Sequence, residues 1–406
     1  MSGLNRSIED IRAEFPGLTD GWALLDGAAG TQVPQAVIEA IAAALRDGMA
    51  NVHGAFAASE RSTAIVEEAR RAVADLVNGT PDGVVFGPNM TTLTFHVSDA
   101  LSRGWSPDDE VVVTSLDHDA NVRPWVIAAQ RAGATVRWAE FDTGTGELRP
   151  EAFDHVIGKR TKLVAVTAAS NAIGSRPDVP AIAERAHAAG ALVYVDGVHA
   201  TPHVPTDMHA LGADFYVFST YKLFGPHAGA LAADPALLER VTPAKLAPAS
   251  DEVPDRFERG TPAFELLAGA NAAVDWLAGL TDAAGSRRER LVAALAAVEE
   301  YLAGLLRRAV DGLAGIDGVR VLPAPARRTS TLSFVVDGHT PLAVAERLAR
   351  RGVSVWNGDN YAYELMDRFG LQDSGGAVRA SLVLYNTAAD VDRLLEAVAE
   401  LASRAG

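Results

Sequence analysis

From about Val84 to Leu231, short runs of β-branched and aromatic residues alternate with longer stretches whose apolar positions recur at helical spacing. That alternation is the pattern of strands joined by crossover helices, and it predicts a mostly parallel sheet. The clearest strands are 110–114, 163–167, 192–195 and 215–218, and a shorter one ends at Phe86. Between the second and third of these, Asp178 is placed to cap a helix with Ile182 and Ala186 facing inward, and Gly190 stops it before Leu192.

Past Phe264 the pattern changes. Ser286 and Glu289 form a capping box at the start of a long Ala/Leu-rich helix, expected to bridge two domains and to end before Gly312. Strand patterns at 319–322, 331–336 and 353–356, with helices after Pro341 and Thr387, describe a small α+β domain. The expected organisation is an α/β chain: an N-terminal segment (1–20) packing with the small domain, a large domain (21–280), and a small C-terminal α+β domain (281–406).

Composition narrows the function. Against 36 Lys and Arg stand 52 Asp and Glu, a net charge of −16, which disfavours nucleic acid and anionic membranes as partners. No apolar run reaches membrane-spanning length, and the first residues lack a signal or presequence pattern, so a cytoplasmic protein is expected. The chain has no cysteine, which removes disulfides, thiolate metal sites and a cysteine nucleophile. No metal site is expected.

Candidate chemistry concentrates between Leu192 and Gly225. One apolar strand ends in Asp196, with His199 three residues on, and the next ends in Ser219-Thr220-Tyr221-Lys222. Ligands of open parallel sheets bind beyond the carboxyl ends of the strands, so Asp196 and Lys222 can face one crevice. Either residue alone at a strand end is ordinarily a solvated cap; together they suit pyridoxal 5′-phosphate (PLP). The lysine amine would hold the aldehyde as a Schiff base, and the carboxylate would keep the pyridine nitrogen protonated. His199 could bond the phenolic oxygen or the substrate, and the hydroxyls of Ser219 and Tyr221 suit the phosphate. Asn89-Met90-Thr91, where a strand gives way to a helix, offers backbone N–H groups as a phosphate cradle, although a plain capped turn reads the same way.

At these residues the chain resembles the class V aminotransferase group of fold-type I PLP enzymes, and within it the cysteine desulfurases and their relatives. The matching pieces are Leu25-Asp26-Gly27-Ala28-Ala29, Asn51-Val52-His53, Asp117-His118-Asp119-Ala120-Asn121 with Pro124-Trp125, Ser170-Asn171-Ala172-Ile173-Gly174, the Asp196/His199 and Lys222 motifs, Arg259-Gly260-Thr261-Pro262, and Arg379-Ala380-Ser381 with Tyr385-Asn386-Thr387. The resemblance implies a large PLP-binding domain with a mostly parallel sheet. It also implies that His118 stacks on the cofactor ring, that Asn171 contacts the ring or the substrate carboxylate, and that Arg379 takes the α-carboxylate of an amino-acid substrate. Thr261 is implied to reach the phosphate of a neighbouring subunit, hence a homodimer with shared sites. Ala29, His53 and Tyr361 are expected on the substrate side.

The departure is chemical. Desulfurases carry a sulfur-accepting cysteine on a loop before the substrate-binding arginine, and here that stretch is Asn357-Gly358-Asp359-Asn360-Tyr361-Ala362-Tyr363. A protein persulfide needs a thiolate, so ordinary desulfurase turnover is disfavoured. Proton removal at Cα by Lys222 survives. β-Elimination from a cysteine S-conjugate then leads, with transamination, epimerisation, decarboxylation or oxidative deamination as alternatives. A non-catalytic binding protein that keeps the fold is the answer from another class.

Overall fold

In the computed structural model, which describes residues 3–18 and 20–403, seven strands build the large sheet. They are Val84–Gly87 (β1), Glu110–Thr114 (β2), Thr135–Ala139 (β3), Thr161–Thr167 (β4), Leu192–Asp196 (β5), Phe215–Ser219 (β6) and Gly229–Ala233 (β7), in the order β1-β7-β6-β5-β4-β2-β3. Only β7 runs antiparallel to its neighbours. The four clearest predicted strands therefore form β2, β4, β5 and β6 inside the sheet, each within about two residues of its expected ends, and the strand ending near Phe86 is the edge strand β1.

The central strands are apolar along nearly their whole length because both faces are covered. On one face lie Met90–Ser102 (α2) and Arg123–Ala132 (α3), packed on Val111, Val113, Tyr194 and Val217. Ala57–Val77 (α1), Val179–Ala188 (α4) and Phe264–Ala278 (α5) cover the other, against Val112, Val164, Val195 and Phe218. Alternation of side chains along each strand thus feeds two separate cores.

Two strands of the large sheet escaped the sequence pattern. β3 is an edge strand, Thr-Val-Arg-Trp-Ala, partly open to solvent; β7 reads Gly-Ala-Leu-Ala-Ala with no β-branched residue and is held by a partner on each side. The long helix, Arg287–Ala314 (α6), also outruns its expected stop at Gly312. A Cβ at Gly312 would lie 2.4 Å from Leu395 of the last helix, Ala388–Ala402 (α7), so the glycine permits close helix packing instead of ending the helix.

The small domain holds an antiparallel sheet of Val319–Val321 (β8), Thr331–Val336 (β9), Trp356–Gly358 (β10) and Ala377–Ser381 (β11), in the order β10-β11-β9-β8. The 353–356 run divides: Val353–Ser354 pairs in parallel with Ala23–Leu24, and Trp356 begins β10. Near the N-terminus Arg12 donates to the Tyr385 carbonyl and pairs with Asp390 at 3.2 Å. Strand pairing with the small domain therefore extends past residue 20, as far as the Asp26–Ser381 bridge.

One close approach sets up the site. β7 passes beneath the start of α2 at Gly229, where a Cβ would lie 2.4 Å from the Asn89 carbonyl carbon. Gly229→Ala should displace that helix start, destabilising the fold by about 1–3 kcal/mol and weakening cofactor retention. Thermal unfolding and a cofactor titration measure both; unchanged retention in a folded variant would show that the approach is not required.

Candidate active site

Because β4, β5 and β6 are parallel neighbours, their carboxyl ends at Thr167, Asp196 and Ser219 open on the same side of the sheet. A cleft of about 410 Å³ lies there, lined by Met90, Thr91, His118, Asn171, Asp196, His199, Ser219, Tyr221 and Lys222. Nine residues expected from the sequence thus converge. Asn89 stands just behind them as the cap of α2, its Oδ1 accepting the Thr92 N–H at 2.9 Å.

Asp196 and Lys222 are both buried. Burial raises the pKa of Asp196, opposed by a 2.9 Å hydrogen bond from the Val198 N–H and by the charge of Lys222. Burial likewise lowers Lys222 below an ordinary amine, and the Arg379 cation lowers it further. A lysine so placed more readily presents the neutral amine that attacks an aldehyde.

His118 stays neutral, its pKa held at about 3 by burial and by the positive charges of Lys222 and Arg379. Its Nδ1 accepts the Ala120 N–H at 3.0 Å, which puts the proton on Nε2. The turn is anchored by Asp117, a residue the sequence reading named only within a motif. Asp117 accepts from Asn121 at 2.6 Å and from the Thr114 hydroxyl, and burial pushes its carboxyl up to about 8.

Arg379 lies on β11, 4% exposed; among the described residues its buried Nε has no partner and its guanidinium donates only to the Asn171 carbonyl, at 3.2 Å. It does not line the cleft itself, yet its charge is felt at Lys222, His118 and His199.

Four other expected residues lie outside this cleft. His53 is on the surface, 3.9 Å from an Asp255 carboxylate oxygen. Thr261 lines a different cavity together with Arg259 and His96. Ala29 belongs to a turn that touches the lysine loop only through its neighbours: the Thr31 N–H donates to the Tyr221 carbonyl at 3.0 Å, and the Thr31 hydroxyl accepts the Phe224 N–H at 2.8 Å. Thr31 holds Phe224 in a left-handed conformation, φ +60°, just past Lys222, and nothing in its sequence context marked it.

Tyr361 is 72% exposed, with its ring stacked on His118 at 5.4 Å and 17°. The loop is tied down beside it. The Tyr361 carbonyl accepts the Asp119 N–H at 2.7 Å, and the Asn360 carbonyl accepts from the Asn171 side chain at 2.8 Å. Both loop residues have φ +55°, a left-handed pair the sequence pattern did not signal.

The side chains fit PLP on geometry alone. Three buried polar atoms at or beside the cleft, Asn171 Oδ1, His199 Nε2 and Arg379 Nε, have no partner and await one. The Ser219 hydroxyl, which already accepts the Met90 N–H at 2.9 Å, stands at a helix N-terminus suited to a phosphate.

The family model for class V aminotransferases matches residues 23–394. The chain belongs to the class V aminotransferase family. As a member it is a PLP-dependent enzyme, and the binding-protein alternative falls away. It is 36% identical over 396 residues to an uncharacterized protein of Mycobacterium tuberculosis, covering 97% of this chain and 99% of that one. A probable cysteine desulfurase of Pseudomonas aeruginosa is 35% identical, with 95% and 96% of the two chains covered. Among solved structures, the cysteine desulfurase CsdA of Escherichia coli superposes with a TM-score of 0.86 at 31% identity, over 98% of each chain. The apo cysteine desulfurase of Thermococcus onnurineus gives 0.89 at 28% identity, over 98% and 99%. Unlike a desulfurase that works through a cysteine, this class V enzyme has none. Among the described residues no helix is long and apolar enough to cross a membrane.

The charge arrangement has a testable sign. Removing the Arg379 cation takes away one of the two influences that depress Lys222, so the amine pKa should rise. When PLP is added to the apoprotein at a series of pH values, the midpoint of colour formation should lie below that of an ordinary lysine amine. Arg379→Gln should move it to higher pH; a midpoint that stays put would disconnect the two groups.

Proposed function

We propose that this class V enzyme acts on an α-amino acid bearing a leaving group on Cβ, most readily a cysteine S-conjugate, and breaks its C–S bond without a protein persulfide. One observation carries the reading: Arg379 is a buried guanidinium that, among the described residues, has no carboxylate within ion-pair distance and only the longer-range charge of Asp26 to offset it, beside a lysine able to move a proton, in a chain without any thiol. A buried cation of this kind is costly unless a ligand compensates it, and an α-carboxylate matches its planar fork.

The bound cofactor would supply an electron sink for charge developing at Cα. Lys222 would hold it and then, with its amine freed, take the α-proton. Asp196 would keep the ring nitrogen protonated, and His118 would lie on the ring. Met90, Thr91, Ser219 and Tyr221 would bind the phosphate, with His199 and Asn171 on the ring substituents and substrate. As the C–S bond breaks, its electron pair leaves with sulfur, which picks up a proton as a free thiol. The released aminoacrylate takes up water to give pyruvate and ammonia, so no sulfur acceptor on the protein is needed.

The docked loop supports this branch. Asn360 and Tyr361 lie against Asn171 and His118, in the stretch where a desulfurase would carry its cysteine, and offer no thiol there. A class V aminotransferase, an epimerase or an oxidative deaminase would use the same Lys222 and Arg379, and the product separates them.

Holoenzyme given S-substituted cysteines should release pyruvate with no thiol acceptor present. Accumulation of a pyridoxamine form, or loss of optical activity without pyruvate, would overturn the lyase reading. Borohydride should fix the cofactor to Lys222, and Lys222→Ala should be inactive and colourless under that treatment. Arg379→Gln should lower kcat/KM by about 100-fold, the value of a charge-assisted paired contact.

A homodimer follows as part of the same proposal. Thr261, displaced from the cleft of its own chain, would complete the phosphate site of a second copy, and the exposed Phe95 beside its cavity offers apolar surface for that contact. Light scattering of the holoenzyme should give twice the chain mass; a monomer that retains PLP would refute the role of Thr261.

A further inference from the structure

Away from the cleft, the seam between the two domains holds a second groove, of about 1160 Å³. Arg176 and His203 line it from the large domain, Arg307 from α6, and Arg327 and Arg328 from the loop between β8 and β9. The other charged groups in its lining are Glu299 and Asp311, and Glu299 is already paired with Arg176 at 2.6 Å. Among the described residues no carboxylate lies within ion-pair distance of Arg307, Arg327 or Arg328.

Arg328 is the anomaly. Its guanidinium donates to the Thr331 carbonyl at 2.6 Å, its Nε is buried without a partner, and burial lowers its pKa to about 10 with no acid to offset it. In a chain of net charge −16, a local surplus of guanidinium groups around an open groove is not a general property of the surface. An uncompensated, largely buried cation calls for an anion.

We propose that this groove is a second ligand site that binds the phosphate group of a small molecule. The forks come from three separate segments and surround the space. A tetrahedral oxyanion presents acceptors in several directions, whereas a carboxylate offers two in one plane. The site is distinct from the cofactor's phosphate cradle at Met90 and Ser219. It is nevertheless close to the active site in contacts: the His203 Nδ1 lies 2.8 Å from the His199 carbonyl, the two rings are 4.8 Å apart, and His199 lines the cofactor cleft. A ligand there would touch both domains at once.

The test uses holoenzyme, in which PLP already fills its own cradle, titrated calorimetrically with inorganic phosphate and in parallel with succinate. Saturable phosphate binding is expected, weakened roughly tenfold or more by Arg328→Gln. The exposed pair Arg307→Gln with Arg327→Gln should weaken it too, and decides the matter should Arg328→Gln fail to fold. Absence of saturable phosphate binding, an affinity unchanged in the variants, or tighter binding of succinate than of phosphate would each overturn the assignment.

Discussion

Everything in this molecule that bears on chemistry depends on burying a carboxylate and an amine at the ends of two adjacent parallel strands. Water would solvate both groups at little cost; here burial disfavours the charged form of each, and their mutual attraction only partly compensates. The sheet makes the arrangement possible, because β5 and β6 are held in register by apolar side chains packed on both faces. That rigid frame keeps Asp196 and Lys222 facing one cleft, as a site built on scaffold strands should.

Around this pair the structure adds the positive charge of Arg379, offset only at longer range by the carboxylate of Asp26. Burial is the main cause that depresses Lys222 and His118, and the Arg379 cation adds to both, so a residue suited to pairing with a carboxylate also biases protonation in the cleft. Arrival of that carboxylate would neutralise the cation and relax both effects.

Much of this was legible in the chain. Strand ends are read from apolar runs that stop at a charged residue, so Asp196 and Lys222 stood out, and the helix start after Phe86 marked Met90 and Thr91. What stayed hidden was tertiary. The stacking of Tyr361 on His118 joins residues far apart in the chain and depends on a left-handed pair that no propensity signals. Gly312 looked like a stop because glycine is read locally, whereas its role is set by Leu395 on another helix. Gly-Ala-Leu-Ala-Ala forms a strand only because β1 and β6 flank it. Thr261 and His53 could be placed by resemblance, but neither lies in the cleft of its own chain.

The loop at Asn360 and Tyr361 has one further consequence. It springs from the small domain, while the groups that hold it, the Asp119 amide and the Asn171 side chain, belong to the large one. Displacing this loop from the large domain would strip the Asn171 side chain of its carbonyl partner. The orientation of the Asn171 amide is therefore tied to the position of a loop nearly two hundred residues away in the chain, and one cannot shift without disturbing the other.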